Sequence, residues 1–423
     1  MISLTNKIMP MCLRGRYYAP SLKFLRKDFI KNKRFMRLEA SNTTNKLEFI
    51  KERPTVPAFR VMDIDGVPID PNFEPEITKE KALDIYKNMI VSNTIDQYLH
   101  EAQNQGRISI YSTGYGEEAI IMTAMALEKG DMVYSQYREL SVYVQLGYPI
   151  EDIMNQCFSN KVGHGKGRQM PVHYGSKEMG LVTISSTLAT QIPQAVGTAF
   201  ALKREGNNNV VICYFGEGTS SEGDFHAGLN MASTIECPVI FYCRNNGYAI
   251  STPSSEQYRG DGIVGRGEGY GIKSMRIDGN DVWAVYAATK EAREYASKHN
   301  KPVLIEAMTY RIGNHTTSDD SKAYRSKEEV EMMRKHDPIL RLRKYMKNKN
   351  WLDSEMDRKY VEDTKEMVLK TLKKAEEELK PKIEYLYTDV YDEMPPNLKS
   401  QFESTQRLVE KYPDYYKVKD FET

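Results

Sequence analysis

Two short motifs combine flexible backbone with oxygen-bearing side chains, each directly after an apolar segment. The first is Gly216-Glu217-Gly218, and the second, Asn245-Asn246, follows it after 26 intervening residues. Glycines let the main chain come close to a phosphorylated ligand. Glu217 offers a carboxylate oxygen, Asn246 an amide oxygen and Tyr248 a main-chain carbonyl. Together with ligand phosphates and a water, these oxygens suit octahedral Mg²⁺, so the motifs predict a magnesium and phosphate site.

The spacing of the two motifs resembles the thiamine diphosphate signature, in which Gly-Asp/Glu-Gly precedes a pair of asparagines by slightly fewer than about 30 residues. Taken singly, residues 216–218 also suit an ordinary strand-to-helix turn, and Asn245-Asn246-Gly247 suits a β-turn. The combination of both motifs, their spacing and the apolar segment before each one favours a cofactor site.

The segments around the motifs alternate between strand and helix patterns. Unbroken apolar runs predict buried parallel strands at 210–215, 239–243 and 303–308. Helices are predicted at 79–105, 117–128, 190–204, 222–233 and 282–298, the fourth of these between the two motifs and the last capped by Asp281. The small and apolar residues of 190–204 indicate a buried helix. This β-α-β order predicts an α/β fold, a doubly wound parallel sheet with its ligand at the carboxyl ends of the strands.

The flanking segments differ from this centre. Residues 41–78 are polar and interrupted by prolines, which predicts an extended lead-in, and 163–175 form a glycine-rich, basic loop. From Ser326 onward the chain is charged and helical. There the apolar positions Val361, Val368, Leu372 and Leu379 predict an amphipathic helix, packed on its own domain or a neighbour, or else a coiled coil. We therefore expect an α/β domain at 79–330, with N- and C-terminal helical extensions and a partner-contacting helical region at 331–423.

The N-terminus is strongly basic although the whole chain has a net charge of only +1. Residues 1–37 contain ten basic residues and one acid, Asp28, so that the rest of the chain carries −8. A basic, acid-poor segment with interspersed apolar residues predicts a mitochondrial transit peptide, placed at 1–40. The alternative is a basic arm for nucleic acid, but the acidic remainder of the chain would repel phosphates.

Composition excludes other classes. No run approaches the roughly 18 apolar residues of a membrane span, so no spanning helix is predicted. Five cysteines without paired spacing predict neither a disulfide framework nor a zinc site: Cys12, Cys157, Cys213, Cys237 and Cys243. Cys12 is expected to leave with the transit peptide, and we expect the other four cysteines to be core thiols in a reducing compartment.

From about residue 47 to 421 the chain resembles the alpha subunits of the branched-chain 2-oxoacid dehydrogenase decarboxylase component. The blocks that carry the resemblance are Gly106-Arg-Ile-Ser, Tyr115-Gly-Glu-Glu, Gln136-Tyr-Arg-Glu, Gly165-Lys-Gly-Arg-Gln-Met-Pro-Val-His-Tyr-Gly175, Ala189-Thr-Gln-Ile-Pro-Gln, Gly216-Glu-Gly, Cys243-Arg-Asn-Asn-Gly-Tyr-Ala-Ile-Ser-Thr-Pro253 and Tyr310-Arg-Ile-Gly. Pyruvate dehydrogenase alpha subunits usually have Asp in the first motif and Gly-Gly-Ser-Met-His in the glycine-rich loop. Glu217 and Gly167-Arg-Gln-Met-Pro171 therefore favour the branched-chain family, with the pyruvate enzyme or a non-catalytic paralogue as alternatives.

The resemblance implies roles for individual residues, and for the fold it implies the thiamine diphosphate-binding type. Those expected at the cofactor are Tyr137, Arg138, Arg244 and His315 at its diphosphate, Gly218, Thr219 and Ser186 along it, and Leu188 as the bulky residue that bends it. His315 is also the expected catalytic residue. Arginine suits this place because its planar fork pairs with phosphate oxygens. For Mg²⁺ the resemblance implies the same Glu217, Asn246 and Tyr248.

A second cation site and a regulatory loop are also implied. Ser185, Thr190, Gln191 and the carbonyl of Thr187 match a monovalent-cation site for K⁺, although the family usually has Pro where this chain has Thr187. The loop 313–326 matches the family's regulatory loop. Thr316 stands where the family has its regulatory serine, and Ser326 keeps the second site. A phosphate at Thr316 would repel the cofactor diphosphate, so we expect control by a kinase and a phosphatase, or else a polar loop that only closes the channel.

The resemblance also implies the activity and the partners. The enzyme expected is 3-methyl-2-oxobutanoate dehydrogenase (2-methylpropanoyl-transferring), in which thiamine diphosphate removes CO₂ from the 2-oxoacids of Leu, Ile and Val. The acyl group then passes to the lipoyl arm of an acyltransferase component. The glutamate that activates the cofactor belongs to the beta subunit in this family. We therefore expect an obligate α₂β₂ heterotetramer in the mitochondrial matrix.

Overall fold

The computed structural model describes residues 45–49, 54–73, 75–416 and 418–422. The chain divides into two units, Met1–Pro54 and Thr55–Thr423. The transit peptide predicted at 1–40 lies outside the described residues, and every helix and strand given below belongs to the second unit. The domain boundaries at residues 79 and 331 stay a prediction. None of the described helices has the length and apolar character needed to cross a bilayer.

A five-stranded parallel sheet forms the centre of the second unit. The strands are β1 (Met132–Tyr134), β2 (Val211–Gly216), β3 (Val239–Asn245), β4 (Tyr248–Ala249), β5 (Thr252–Pro253), β6 (Lys273–Asp278) and β7 (Val303–Met308). Their order in the parallel sheet is β1-β2-β3-β7-β6, while β4 and β5 pair separately as an antiparallel hairpin. The predicted strands correspond to β2, β3 and β7. The other two sheet strands escaped prediction because β1 has three residues and β6 carries charged residues at Lys273, Arg276 and Asp278.

Fourteen α-helices are described, and they include the predicted helix over 282–298. They are α1 (Lys79–Asn104), α2 (Ile121–Met125), α3 (Leu140–Gln145), α4 (Ile150–Phe158), α5 (Gln191–Glu205), α6 (Gly223–Ile235), α7 (Ser254–Gln257), α8 (Val264–Gly269), α9 (Val282–His299), α10 (Lys327–Arg334), α11 (Pro338–Asn348), α12 (Ser354–Glu377), α13 (Tyr385–Thr388) and α14 (Pro396–Lys411). Asp281 caps α9 by accepting hydrogen bonds from the N–H groups of Trp283 and Ala284, as predicted.

The sheet separates two apolar cores. Along β2, Ile212 and Tyr214 point into one core, which α1, α9 and α12 cover. Cys213 and Phe215 point into the other core, which α5 and α6 cover. Because successive side chains of a strand face opposite sides, the continuous apolar run of β2 serves both cores. The doubly wound α/β fold predicted from the sequence is confirmed.

Two predicted helices differ from the structure. Residues 117–128 are not one helix: a 3-10 turn, Glu118–Ile120, leads into α2, which ends at Met125. The Glu118 carboxylate turns back to accept the N–H of Gly116 at 3.0 Å, just before this turn. Helix α5 is buried along one side only, with Phe200 40% exposed on the other, because it covers a single face of the sheet.

Helix α12 packs on the same unit, against α1 and α4. Val368 and Leu372 are buried there, whereas Val361 is exposed. Leu379 is exposed as well, because the helix ends at Glu377. The amphipathic helix is therefore confirmed, and it packs within its own unit over a shorter apolar stripe than predicted. The cysteines that the structure describes, Cys157, Cys213, Cys237 and Cys243, are free and buried, as expected for core thiols.

The strand register decides what meets at the carboxyl edge of the sheet. Gly216 at the end of β2 is paired with Arg244 on β3. Asn245 at the end of β3 is paired with Met308 on β7. The turns that follow β2 and β3 are therefore neighbours, although 26 residues separate the two motifs in the sequence.

Candidate functional site

Glu217 and Asn246 lie next to each other in the turns after β2 and β3. Glu217 begins the 3-10 turn Glu217–Ser221, and its Oε2 atom accepts the N–H of Asn246 at 3.3 Å. Both side chains are buried. The Asn246 amide is oriented by its Nδ2 group, which donates to Glu117 Oε1 at 2.8 Å. The Asn246 Oδ1 atom therefore faces away from Glu117, where it accepts the N–H of Tyr248 at 3.2 Å.

The second carboxylate oxygen of Glu217 has no hydrogen-bond partner among the described residues, although it is fully buried. Burial raises the pKa of Glu217 to about 7, with a smaller contribution from the charge of Glu117. Buried carboxylate oxygens are normally paired, so this atom marks a place for a positive ligand. Within the described chain no three His, Cys, Asp or Glu side chains converge on a metal site. A site here would combine one carboxylate with amide and carbonyl oxygens, a hard-oxygen set that fits Mg²⁺.

Arg244 is held between two carboxylates. Its Nε atom donates to Glu139 Oε1 at 2.5 Å, and a terminal nitrogen donates to Glu117 Oε2 at 2.6 Å. All three side chains are buried. Burial acts to raise the pKa of Glu117, but the guanidinium groups of Arg244 and Arg138 outweigh it and hold the pKa below its ordinary value. The diphosphate contact predicted for Arg244 therefore stays a prediction, and what the structure displays is an ion-pair cluster.

Arg138 and His315 form a second polar group beside this cluster. One terminal nitrogen of Arg138 donates to the carbonyl of Thr113 at 2.6 Å. The other contacts both the Nδ1 atom of His315 at 3.1 Å and its carbonyl at 2.6 Å. Arg311 approaches the same Nδ1 atom at 3.4 Å. Tyr137 completes the group, with its ring edge-on to the imidazole at a centroid distance of 6.2 Å.

These contacts decide the protonation state of His315. Burial lowers its pKa to about 3, and the neighbouring charges of Arg138 and Arg311 contribute in the same direction. Because two guanidinium groups donate toward Nδ1, the neutral ring carries its proton on Nε2. His315 is thus a neutral hydrogen-bond donor that can approach an anionic or partly charged oxygen.

A cavity of about 330 Å³ brings most of the predicted residues together. Its lining includes the predicted residues Tyr137, Arg138, Leu188, Glu217, Gly218, Thr219, Arg244, Asn246, Tyr248 and His315, and also Gln136, Ile250, Gln257 and Arg311. Gly218 is required at this wall, because a Cβ atom there would lie 2.7 Å from Cβ of Ala249. The cavity thus combines cationic side chains, an unpaired carboxylate oxygen and a close-packed glycine turn, which fits a magnesium-bound diphosphate.

Other predicted residues lie apart from this lining. Ser186 is hydrogen-bonded through Oγ to Nε2 of His173 at 2.7 Å, and it does not line the cavity. The predicted K⁺ ligands Ser185, Thr187 and Thr190 lie in the segment before α5, and Gln191 begins that helix. The side chain of Gln191 donates to the carbonyl of Tyr214 at 3.1 Å, which ties this segment to β2. The K⁺ site remains a prediction.

The two predicted phosphorylation residues have different environments. The Thr316 hydroxyl lies 3.0 Å from the hydroxyl of Ser318, in the loop next to His315. Ser326 is exposed, and its Oγ caps α10 by accepting the N–H of Glu329 at 3.0 Å. Glu329 also accepts hydrogen bonds from the hydroxyl groups of Tyr248 and Tyr310. These bonds link α10 to Tyr248, whose carbonyl is one of the predicted Mg²⁺ ligands.

Several site residues were not singled out from the sequence. Glu117, Glu139 and Arg311 belong to blocks that carried the family resemblance, yet no role was assigned to them. The available signal was their place in those blocks: Glu139 directly follows Arg138, and Arg311 lies four residues before His315. The pairing of the two glutamates with Arg244 could not be seen, because 105 and 127 residues separate the partners.

Comparison with known proteins shows the family to which the chain is similar. Residues 86–384 match a family described as "Dehydrogenase E1 component". The chain is 55% identical to "2-oxoisovalerate dehydrogenase subunit alpha, mitochondrial" of Mus musculus over 382 residues, which cover 89% of this chain and 86% of the relative. The protein of the same name from Homo sapiens is also 55% identical, with the same coverage. "2-oxoisovalerate dehydrogenase subunit alpha 2, mitochondrial" of Arabidopsis thaliana is 44% identical, covering 88% of this chain and 80% of the relative.

Proposed function

Because the chain belongs to the dehydrogenase E1 component family, we propose that it is the alpha subunit of a branched-chain 2-oxoacid dehydrogenase. The cofactor of this family is thiamine diphosphate. The reaction is the oxidative decarboxylation of the 2-oxoacids derived from Leu, Ile and Val, with acyl transfer to a lipoyl group. The relatives named as alpha subunits of 2-oxoisovalerate dehydrogenase are 44–55% identical to the chain along most of its length, which supports this substrate class.

The unpaired Oε1 atom of Glu217 is the observation that carries the proposal. A buried carboxylate beside an amide oxygen, at the rim of a cavity lined by Arg138 and His315, is costly unless a cation neutralises it. Glu217, Asn246 and the carbonyl of Tyr248 would hold Mg²⁺, whose charge would neutralise the carboxylate and favour a diphosphate in the cavity.

The residues of this chain would bind the cofactor and orient it. When bound, thiamine diphosphate supplies a nucleophilic carbon and an electron sink for the departing CO₂. Arg138 lines the cavity and brings its positive charge to the diphosphate, while Thr113 and His315 hold its two terminal nitrogens in place. The ring of Tyr137 packs against the Arg138 guanidinium group. Neutral His315 donates from Nε2 to an oxygen on the diphosphate or the substrate without adding a full charge. Leu188 provides an apolar wall, and Gly218 with Thr219 lets the main chain approach.

The remaining assignments complete the assembly. We propose a beta subunit in an α₂β₂ heterotetramer, since the glutamate that activates the cofactor comes from that subunit in the family. A lipoylated acyltransferase component receives the acyl group. K⁺ is held by Ser185, Thr187, Thr190 and Gln191, and a kinase and phosphatase act on Thr316 and Ser326. The basic segment 1–40 directs the chain to the mitochondrion, and we place the enzyme in the matrix; the relatives are named mitochondrial.

The test is CO₂ release by this chain co-purified with its beta subunit, in the presence of thiamine diphosphate and Mg²⁺. We expect 3-methyl-2-oxobutanoate to react well and pyruvate poorly. A preference for pyruvate would contradict the proposed substrate class. Binding of the cofactor without release from either acid would instead indicate a non-catalytic paralogue.

A further inference from the structure

Asp96 on α1 is a buried carboxyl group outside the residues assigned so far, with 3% of its surface exposed. Its Oδ1 atom accepts the hydroxyl of Tyr111 at 2.8 Å. Its Oδ2 atom accepts the N–H of Gly114 at 2.6 Å. Both partners belong to the segment 111–117, which lies between α1 and the 3-10 turn Glu118–Ile120. One side chain therefore fixes this segment at two points.

The segment 111–117 supports both halves of the proposed cofactor site. The carbonyl of Thr113 accepts a terminal nitrogen of Arg138 at 2.6 Å. The carboxylate of Glu117 pairs with Arg244 at 2.6 Å and accepts the amide of Asn246 at 2.8 Å. A displacement of the segment would therefore move the proposed diphosphate arginine and a proposed magnesium ligand together.

Close packing makes this coupling tight. A Cβ atom at Gly114 would lie 3.1 Å from the carbonyl oxygen of Arg138 and 3.6 Å from Asp96 Oδ2. A Cβ atom at Gly313, two residues before His315, would lie 2.9 Å from Oγ1 of Thr113. The segment is therefore enclosed between Asp96, Arg138 and the loop of His315, with little room to shift alone.

We infer that Asp96 is a positioning residue for the thiamine diphosphate site: its carboxylate holds the segment 111–117, which in turn sets Arg138 and Asn246 in place. This inference rests on the proposed function. Asp96 does not line the cavity, so it acts only through Thr113 and Glu117.

The charge of Asp96 allows a second test of the inference, which is the pH dependence of cofactor binding. Burial raises its pKa to about 7, opposed by the hydrogen bonds from Gly114 and Tyr111 and by the charge of Arg138. Other titratable groups that interact with it are Glu117, Tyr115, Glu118, Cys157 and Tyr174. The ionised carboxylate accepts both hydrogen bonds, whereas the protonated acid must use one oxygen as a donor. We therefore expect its hold on the segment to weaken as the pH falls below 7.

The test compares Asp96→Asn with Asp131→Asn in the assembled α₂β₂ protein. Asp131 is the control: it is also buried and accepts a main-chain N–H, that of Val210 at 2.9 Å, and it pairs in addition with Arg293 at 2.7 Å, but it precedes β1 at the amino ends of the strands, away from the cavity. Thiamine diphosphate binding with Mg²⁺ is measured by calorimetry at pH 8 and pH 6. We expect D96N to weaken binding at least about tenfold at pH 8 and less at pH 6. We also expect its KM for the cofactor to rise while kcat at saturation is largely kept.

The control variant Asp131→Asn should lower the unfolding temperature of the assembly and keep its cofactor affinity within about twofold of the wild-type value. Tyr111→Phe removes one of the two hydrogen bonds and keeps the charge, so it provides a milder variant with a smaller loss of affinity should D96N fail to assemble. Unchanged affinity in D96N, or in Y111F where D96N does not assemble, would overturn the inference. A wild-type assembly that binds the cofactor but decarboxylates no 2-oxoacid would overturn the proposed function, while the binding comparison would still decide the role of Asp96.

Discussion

Arg138 donates to the Nδ1 atom of His315 at 3.1 Å, and the same guanidinium nitrogen contacts the His315 carbonyl at 2.6 Å. A cation that donates to Nδ1 excludes a proton from that atom. The histidine is thereby kept neutral and presents an N–H group on its other nitrogen. A group of this kind stabilises developing negative charge and does not exchange protons near neutral pH.

The first prediction concerns the pH dependence of His315→Asn. Because burial lowers the pKa of His315 to about 3, the imidazole stays uncharged from pH 6 to pH 8. We expect the variant to lose about 10- to 100-fold in kcat/KM, and by the same factor at both pH values. The ratio of wild-type to variant kcat/KM is measured by steady-state decarboxylation of 3-methyl-2-oxobutanoate with the α₂β₂ enzyme. A ratio that changes tenfold between pH 6 and pH 8 would show that His315 titrates there.

The second prediction concerns Glu217→Gln without and with ligands. At pH 8 the buried carboxylate is ionised, because burial raises its pKa only to about 7, and it has an unpaired oxygen. Removing this charge should raise the stability of the ligand-free assembly by on the order of 1 kcal/mol. Mg²⁺ with thiamine diphosphate should raise the unfolding temperature of the wild type and leave that of E217Q nearly unchanged.

Thermal unfolding of the assembly at pH 8 measures both effects. Glu205→Gln, at an exposed position at the end of α5, is the control and should respond to the ligands like the wild type. If E217Q gained as much from the ligands as the wild type does, Glu217 would not be a metal ligand.

The third prediction tests the close approach of Gly218 and Ala249. A Cβ atom on Gly218 would lie 2.7 Å from that of Ala249. Gly218→Ala should push the hairpin β4–β5 outward and raise the KM for thiamine diphosphate about tenfold. The double variant G218A/A249G removes the clashing methyl group and should restore most of the affinity. Cofactor titration of both variants decides the point, and a double variant as weak as G218A would indicate another cause.

The fourth prediction concerns the cap of α10. Ser326 Oγ accepts the N–H of Glu329, so Ser326→Ala should destabilise the first turn by about 1 kcal/mol, whereas Ser326→Asp keeps an acceptor there. Amide hydrogen exchange of residues 327–334 should be faster in S326A and near the wild-type rate in S326D. Equally fast exchange in both variants would show that the side chain does not cap the helix.

Features within one element or at neighbouring strand ends were predictable from the sequence. The apolar runs determined β2, β3 and β7, because a strand buried on both faces needs apolar residues at every position. Asp281 was identifiable as a cap because its partners, Trp283 and Ala284, are two and three residues away. The meeting of Glu217 with Asn246 followed from parallel strand geometry, which brings carboxyl ends to one edge.

What only the tertiary structure decided is the pairing of distant polar groups and the exposure of whole faces. The family resemblance implies a diphosphate contact for Arg244, but nothing near this residue in the sequence shows that Glu117 and Glu139 pair with it. Asp96 gave no local signal, since its role depends on Gly114 and, through Thr113, on Arg138. Helix α5 looked buried by composition, yet only one of its sides meets the sheet. Local patterns determine elements, whereas ion pairs and packing faces depend on where those elements meet in space.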